Sequence, residues 1–289
     1  MNGDEFDVLS NLVRKQSGLV LTRDKAYLLE SRLLPVARKW RLKSLAELAG
    51  ALRGQADSEL VRDVVEAMTT NESFFYRDKV PFDHFKDAIM PSLLASRAKE
   101  RRIRIWCAAA STGQEPYSLA MCLKEMKDKI AGWRVDIIGT DLSMEVLEKA
   151  KAGVYSQFEV QRGLPIQKLV THFKQIGETW QLNADIRAMV QFKPLNLLND
   201  FSILGKFDVI FCRNVLIYFE QATKADVLNR MMKANEADGY LFLGAAETVV
   251  GLTDAYRPCQ QRRGVYLPKV ASPSLAPSLG AGGLKVMSR

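Results

Sequence analysis

The stretch Ile103-Arg-Ile-Trp-Cys-Ala-Ala-Ala-Ser-Thr-Gly-Gln-Glu-Pro-Tyr-Ser118 decides the fold. Ile103 to Trp106 alternates like a short buried strand. Leu119, Met121, Cys122, Leu123 and Met126 then recur at helical spacing and predict a helix over 116–129. Pro116 falls in its first turn, where the missing N–H is tolerated. Between the two, Ala108 to Gly113 are all small, so a ligand can come close to the backbone. Strand, small-residue turn and helix N-terminus make the nucleotide corner of a doubly wound α/β sheet.

Glu115 sets what that corner accepts. A carboxylate there repels phosphate and attracts an ammonium or sulfonium group. Neither Gly-x-x-x-x-Gly-Lys-Ser/Thr nor Gly-x-Gly-x-x-Gly is present. The ligand expected is a cationic nucleoside, of which S-adenosylmethionine is the common one. Taken alone, Glu115 serves the positive end of the helix equally well.

Working outward, Arg134-Val-Asp-Ile-Ile-Gly-Thr-Asp141 reads as a second strand ending in an acid, with a helix over 144–152 after it. Such an acid can accept hydrogen bonds from both ribose hydroxyls, or it can cap the next helix. Together with Glu115, the ribose role is favoured. Phe207 to Cys212 is a nearly continuous apolar run, as in a central parallel strand, with Arg213 and Asn214 at its carboxyl end. A helix over 221–236, a strand over 240–244 and a last strand pair between Tyr256 and Leu267 complete the core. Residues 154–193 break this alternation with a helix near 166–173 and a hairpin joining 179–182 to 186–192, closed near Asn183 to Asp185.

Before residue 71 the pattern is helical. Stripes through Phe6 and Leu9, Leu29 and Leu33, Leu45 and Leu48, and Leu60 and Val64 predict a small bundle, the last helix capped by Asp57 or Ser58. Arg32, Arg38, Lys39, Arg41 and Lys43 come without an intervening acid. They read either as a solvated surface or as a docking face for an acidic partner. The link from Thr69 to Arg77 is polar, then aromatic at Phe74 to Tyr76. Its aromatics either cap a ligand or pack between domains. The division is a helical domain over 1–70, a linker and start of the catalytic domain over 71–100, the catalytic domain over 101–268 with its insert at 154–193, and a tail over 269–289. That tail, almost all Ala, Ser, Pro and Gly from 271 to 283, is expected to be disordered.

At 289 residues the chain has room for two domains. Its net charge of +8 favours acidic partners. No signal peptide or membrane-length apolar run is seen, which predicts a cytoplasmic protein without membrane insertion. Cys107, Cys122, Cys212 and Cys259 have no paired spacing, and with two histidines in all no metal site is expected.

These residues resemble the CheR family of bacterial chemotaxis receptor methyltransferases over about 4–268. The resemblance rests on Thr69-Thr-Asn-x-Ser-x-x-x-Arg77, Ala109-Ala-Ser-Thr-Gly-x-Glu-Pro-Tyr-Ser118, Thr140-Asp141 with Glu145-Val-Leu-Glu-Lys-Ala150, and Phe211-Cys-Arg-Asn-Val-x-Ile-Tyr-Phe219. It implies a Rossmann-like methyltransferase sheet with an N-terminal all-helical domain and a small antiparallel β insert. It also implies S-adenosylmethionine as donor, S-adenosylhomocysteine as product, and receptor glutamates as acceptors. Carried over by motif, Asn71, Ser73 and Arg77 lie over the methionine part of the cofactor. Glu115 meets its amino group, Asp141 the ribose, Asn196 and Leu197 the adenine region, and Asn214 with Val215 the sulfonium side. Arg77 and Tyr218 are the residues expected to position the acceptor. Ser73 stands where threonine is common, and Gly244-Ala-Ala-Glu247 lacks the histidine some members carry there. The short Phe173 to Trp180 segment has one glycine, so no receptor-tether binding is expected and docking falls to the basic helix of a monomer.

Two rivals compete. The basic charge suits a nucleic-acid methyltransferase, but Asn214 is followed by Val-Leu-Ile rather than the Pro-Pro-aromatic grip on a flipped base. The other rival is a cofactor sensor without transfer activity, which the presence of Arg77, Glu115, Asp141 and Tyr218 argues against.

Overall fold

The computed structural model describes residues 1–54 and 56–269, so the expectation for the tail lies outside the described residues apart from Lys269. The N-terminal domain is four helices, α1 (Gly3–Ser17), α2 (Ala26–Lys39), α3 (Leu45–Ala51) and α4 (Ser58–Met68). Each start has a local cause. Asn2 and Glu5 form a reciprocal capping box, Ser44 accepts from the Glu47 N–H, and Asp57 accepts from the Glu59 and Leu60 N–H groups. Leu9, Val13, Leu29, Leu33, Leu48 and Val64 are completely buried where the stripes meet.

After the linker, α5 (Val80–His84) passes through a wider turn over Phe85–Ile89 into α6 (Met90–Ser96). These segments bury Phe82, Phe85, Met90 and Leu93 against one face of the sheet. The alternation of strands and helices then starts with β1 (Arg102–Ala108), α7 (Gln114–Glu125), β2 (Arg134–Asp141) and α8 (Met144–Ala152). Helix α7 begins two residues sooner than periodicity suggests, directly after Gly113, whose φ of 92° ends the small-residue turn.

The insert differs from the expectation. It contains β3 (Val154–Ser156), α9 (Gln157–Gln161), α10 (Ile166–His172), β4 (Phe173–Ile176) and β5 (Thr179–Leu182), and β5 pairs antiparallel with both β3 and β4. The hairpin closes at Gly177, not at Asn183, which instead starts the short α11 (Ala184–Arg187). The segment expected as the hairpin's second strand is β6 (Val190–Pro194), which lies parallel to β2 in the main sheet. Local alternation marks a strand without naming its partner, and the open edge of β2 supplies one.

With β7 (Phe207–Cys212), α12 (Gln221–Ala234), β8 (Asn235–Leu243), β9 (Tyr256–Pro258) and β10 (Val265–Pro268), the sheet has seven strands in the order β6-β2-β1-β7-β8-β10-β9. The first five are parallel, and β10 and β9 each run antiparallel to their neighbour. Strand order reverses between β1 and β7, the switch point where open sheets leave a crevice. Trp106 on β1 is fully buried and donates from Nε1 to the Thr140 hydroxyl at 2.9 Å, which fixes β1 against β2.

Close packing leaves little slack beside the crevice. A Cβ on Gly139 of β2 would sit 2.8 Å from two ring atoms of Phe192 on β6 and 3.2 Å from the Ala110 Cβ. Gly139→Ala should destabilise the protein by about 1–3 kcal/mol, measured by chemical denaturation; an unchanged midpoint would show that Phe192 moves aside freely.

Candidate functional site

A cleft opens at the carboxyl ends of β1, β2, β6 and β7. Its other wall comes from Ser17 and Leu19 after α1 and from the linker after α4. Every residue that the sequence assigned to cofactor or acceptor lines this one cleft: Asn71, Ser73 and Arg77 from the linker, Glu115 and Asp141, and Asn196, Leu197, Asn214, Val215 and Tyr218.

The turn after β1 is strained. Ala109 and Ser111 have φ of 57° and 51°, a left-handed backbone that small side chains tolerate better than branched ones. The turn is held by β2: the Ala110 N–H donates to the Thr140 carbonyl and the Ser111 N–H to Asp141 Oδ2, both at 2.8 Å. The Ser143 N–H donates to Asp141 Oδ1 at 3.0 Å. Ser143 is itself the cap of α8, so Asp141 is not the capping residue. Burial pushes the Asp141 carboxyl up from its ordinary range, and the N–H donors pull against this.

Glu115 sits in the first turn of α7, its carboxylate 2.7 Å from Nη1 of Arg213. Burial pushes its carboxyl up as well, with Arg213 the main opposing influence. The Arg213 side chain is only 2% exposed and also donates to Asp78 at 2.6 Å and to the Arg77 carbonyl at 2.9 Å. Arg213 thus ties β7, α7 and the linker together. In the sequence it was visible only as an arginine at a strand end, because its partners lie 98 and 135 residues away.

The linker splits the aromatic run. Phe75 and Tyr76 are core residues, and the Tyr76 N–H donates to the Ser118 hydroxyl at 3.0 Å. Only Phe74 lines the cleft, with the Arg77 and Arg162 guanidinium groups 5.4 and 4.4 Å from its ring centre. Arg77 also donates to the Glu72 carbonyl at 3.0 Å, and the Ser111 hydroxyl to the Asn71 carbonyl at 3.1 Å.

Arg32 departs from the docking set proposed for it. Its guanidinium donates to the Met68 and Thr69 carbonyls, at 2.9 and 3.1 Å, and to the Thr70 hydroxyl. A cation at the end of α4 satisfies carbonyls that have no helical partner, and here it anchors the linker. Lys39 pairs with Asp63 at 2.7 Å. Arg38, Arg41 and Lys43 are exposed and make no ion pair among the described residues.

Two further contacts seat the helical domain on the cleft. Asn196 donates to the Gln16 carbonyl at 2.6 Å, and the Val20 N–H donates to the Tyr218 carbonyl at 3.0 Å. Beyond the cleft wall, Glu247 accepts from the turn that carries Asn214 and Val215, a role no local sequence pattern marks. Among the described residues no cluster of His, Cys, Asp and Glu has the form of a metal site, and no helix is long and apolar enough to cross a membrane.

A buried acid at the end of β2 and a partly buried one in the first turn of α7, beside an arginine-bearing linker, form a pocket suited to an elongated ligand with a cationic end. Comparison with known proteins agrees. The family model described as the CheR methyltransferase all-alpha domain matches residues 4–69, and that of the CheR methyltransferase SAM binding domain matches residues 71–265. A chemotaxis protein methyltransferase of Vibrio parahaemolyticus is 39% identical over 268 residues, 92% of this chain and 96% of its own. Chemotaxis protein methyltransferase 1 of Pseudomonas aeruginosa is 41% identical over 265 residues, 90% and 96% of the two chains. The chain therefore belongs to the CheR family of chemotaxis protein methyltransferases, and its catalytic domain binds S-adenosylmethionine.

Proposed function

We propose that the chain methylates glutamate side chains on the cytoplasmic helical bundle of chemoreceptors, forming glutamyl methyl esters. The observation that carries this reading is the convergence of Glu115, Asp141, Arg77 and Tyr218 on one cleft between the two domains.

The cleft fits the cofactor chemically. Glu115, ionised, faces the ammonium of the methionine part. Asp141 spends one direction of each oxygen on Ser111 and Ser143, leaving acceptor capacity for ribose hydroxyls. Asn196 and Leu197 flank the adenine, and Asn214 with Val215 the sulfonium side. When bound, S-adenosylmethionine supplies an electrophilic methyl group on a positively charged sulfur.

The chain's own residues then need only hold the acceptor. A glutamate side chain has an ordinary pKa of about 4.3, so it arrives as an anion and requires no general base. This agrees with the cleft, which contains neither His84 nor His172. Arg77 and Tyr218 orient the acceptor carboxylate, and the linker excludes water where opposite charges are consumed. Docking falls to α2 and the turn after it, through exposed Arg38, Arg41 and Lys43 with Lys39 beside them. The tight β4–β5 turn gives no support for a separate tether site.

Labelled methyl transfer to receptor-containing membranes should yield product that releases methanol in alkali; label stable to alkali would refute ester formation. Arg77→Ala should lower turnover by about 100-fold while changing folding stability by less than about 1 kcal/mol, and full turnover would remove its role. Joint reversal, Arg38→Glu with Lys39→Glu, should raise the receptor KM about 10-fold at low salt and less at high salt. An unchanged KM at low salt would move docking elsewhere.

The raised Glu115 carboxyl gives a pH signature. The ionised form binds the ammonium, so the Kd for S-adenosylhomocysteine should increase as pH falls toward the raised range of this carboxyl. Without ligand the sign is opposite: a carboxyl raised by folding favours the fold at low pH and loses that contribution as pH rises. The melting-temperature gain on adding S-adenosylhomocysteine should therefore be larger at the higher pH. Glu115→Gln should bind weakly with a flat profile; a profile matching the parent's would exclude Glu115 as the group sensed.

A further inference from the structure

The turn after β7 carries five residues of the cleft, Arg213, Asn214, Val215, Tyr218 and Phe219, yet its own backbone is poorly suited to stand alone. Asn214 has φ of 60°, in the left-handed region, and the turn from Val215 to Tyr218 is a single 3₁₀ coil. What holds it is the carboxylate of Glu247, which lies beyond the end of β8 and is 9% exposed. Oε2 accepts from the N–H groups of Asn214 at 2.8 Å and Gly244 at 2.7 Å. Oε1 accepts from those of Val215 at 3.0 Å and Ile217 at 3.3 Å. No Lys or Arg forms an ion pair with Glu247 among the described residues, and its hydrogen-bond donors are four backbone N–H groups.

The surroundings are shaped to this anion. A Cβ on Gly244 would sit 2.7 Å from Glu247 Oε2, 2.8 Å from the Asn214 amide nitrogen of the side chain and 2.9 Å from the Asn214 backbone nitrogen. Only glycine lets the end of β8 approach so closely. The Tyr266 hydroxyl fixes the Glu247 main chain by donating to its carbonyl at 3.3 Å. Four inward N–H groups, a left-handed residue and an obligatory glycine together make an anion-binding nest, occupied by the protein's own side chain.

We propose that Glu247 is a positioning residue of the active site: its carboxylate is the internal anion around which the Asn214–Tyr218 turn is wound. Glu247 does not itself line the cleft. It acts by holding Asn214 and Val215 at the cofactor and Tyr218 at the acceptor, and the second half of this role rests on the function proposed above. A second cavity, lined by Asp78, Arg213, Gly244, Glu247, Thr248 and Arg263, borders the nest.

That cavity makes the nest accessible to a small anion when the side chain is cut back. Glu247→Ala removes a CH₂–COO⁻ unit, the size of acetate. Glu247→Gln keeps the volume but turns an amide donor toward two N–H groups. Both variants should bind S-adenosylhomocysteine about 10- to 100-fold more weakly by calorimetry well below their melting temperatures, with turnover reduced in step. Acetate should restore affinity and turnover to Glu247→Ala saturably; acetamide, equal in size and neutral, should not. Glu247→Gln should respond to neither. If Glu247→Ala does not fold, the Glu247→Gln affinity decides. A folded variant keeping affinity and turnover within about twofold overturns the proposal, as does a Glu247→Ala loss that acetate and acetamide relieve equally or not at all. Cofactor affinity is read without any acceptor, so this result is separable from the identity of the methylated residue.

Discussion

A carboxylate taken out of water must be met by donors, and this catalytic domain is organised by that requirement. Three acids lie at or beside the carboxyl ends of the strands: Glu115, Asp141 and Glu247. Each draws at least one donor from a segment far away in the chain, Arg213 for Glu115, Ser111 for Asp141 and the Asn214–Ile217 turn for Glu247, while Ser143 and Gly244 add local N–H groups to Asp141 and Glu247. An unpaired buried charge would cost several kcal/mol, so satisfying these acids and shaping the cleft are one process. The solutions differ in kind. Glu115 is met by a side-chain cation, whereas Asp141 and Glu247 are met by peptide groups.

The helical domain belongs to the same arrangement. Its Glu66 accepts from the Met144 N–H at the start of α8, its Gln16 carbonyl accepts from Asn196, and its Arg32 holds the linker end. These are polar contacts at the cleft rim, not an extension of the hydrophobic core. Each domain keeps its own apolar interior, and the pocket lies in the seam between them.

What was legible in the sequence follows from range. The helix start at Asp57 and the corner around Glu115 are local, written in residues a few positions apart. Asp141 was readable because strand ends in this fold class have a fixed relation to the crevice. Partner choice was not. Val190–Pro194 alternates as well for a hairpin as for the sheet edge, and only the vacancy beside β2 decides. Arg32 fits a surface run by composition, yet it spends its charge on the carbonyls of α4. Arg213 and Glu247 escaped for the same reason: their importance lies in hydrogen bonds spanning 30 or more residues.

One small contact has a wider implication. The loop after α1 donates the Val20 N–H to the Tyr218 carbonyl, and Gly18 lies so near Phe219 that a Cβ would stand 2.9 Å from two of its ring atoms. The helical domain and the turn that carries Tyr218 are thus pressed together through one backbone hydrogen bond and a glycine packed on an aromatic ring. Exchanging helical domains between relatives would therefore disturb the cleft unless residues 18–20 and 218–219 travel as a matched set.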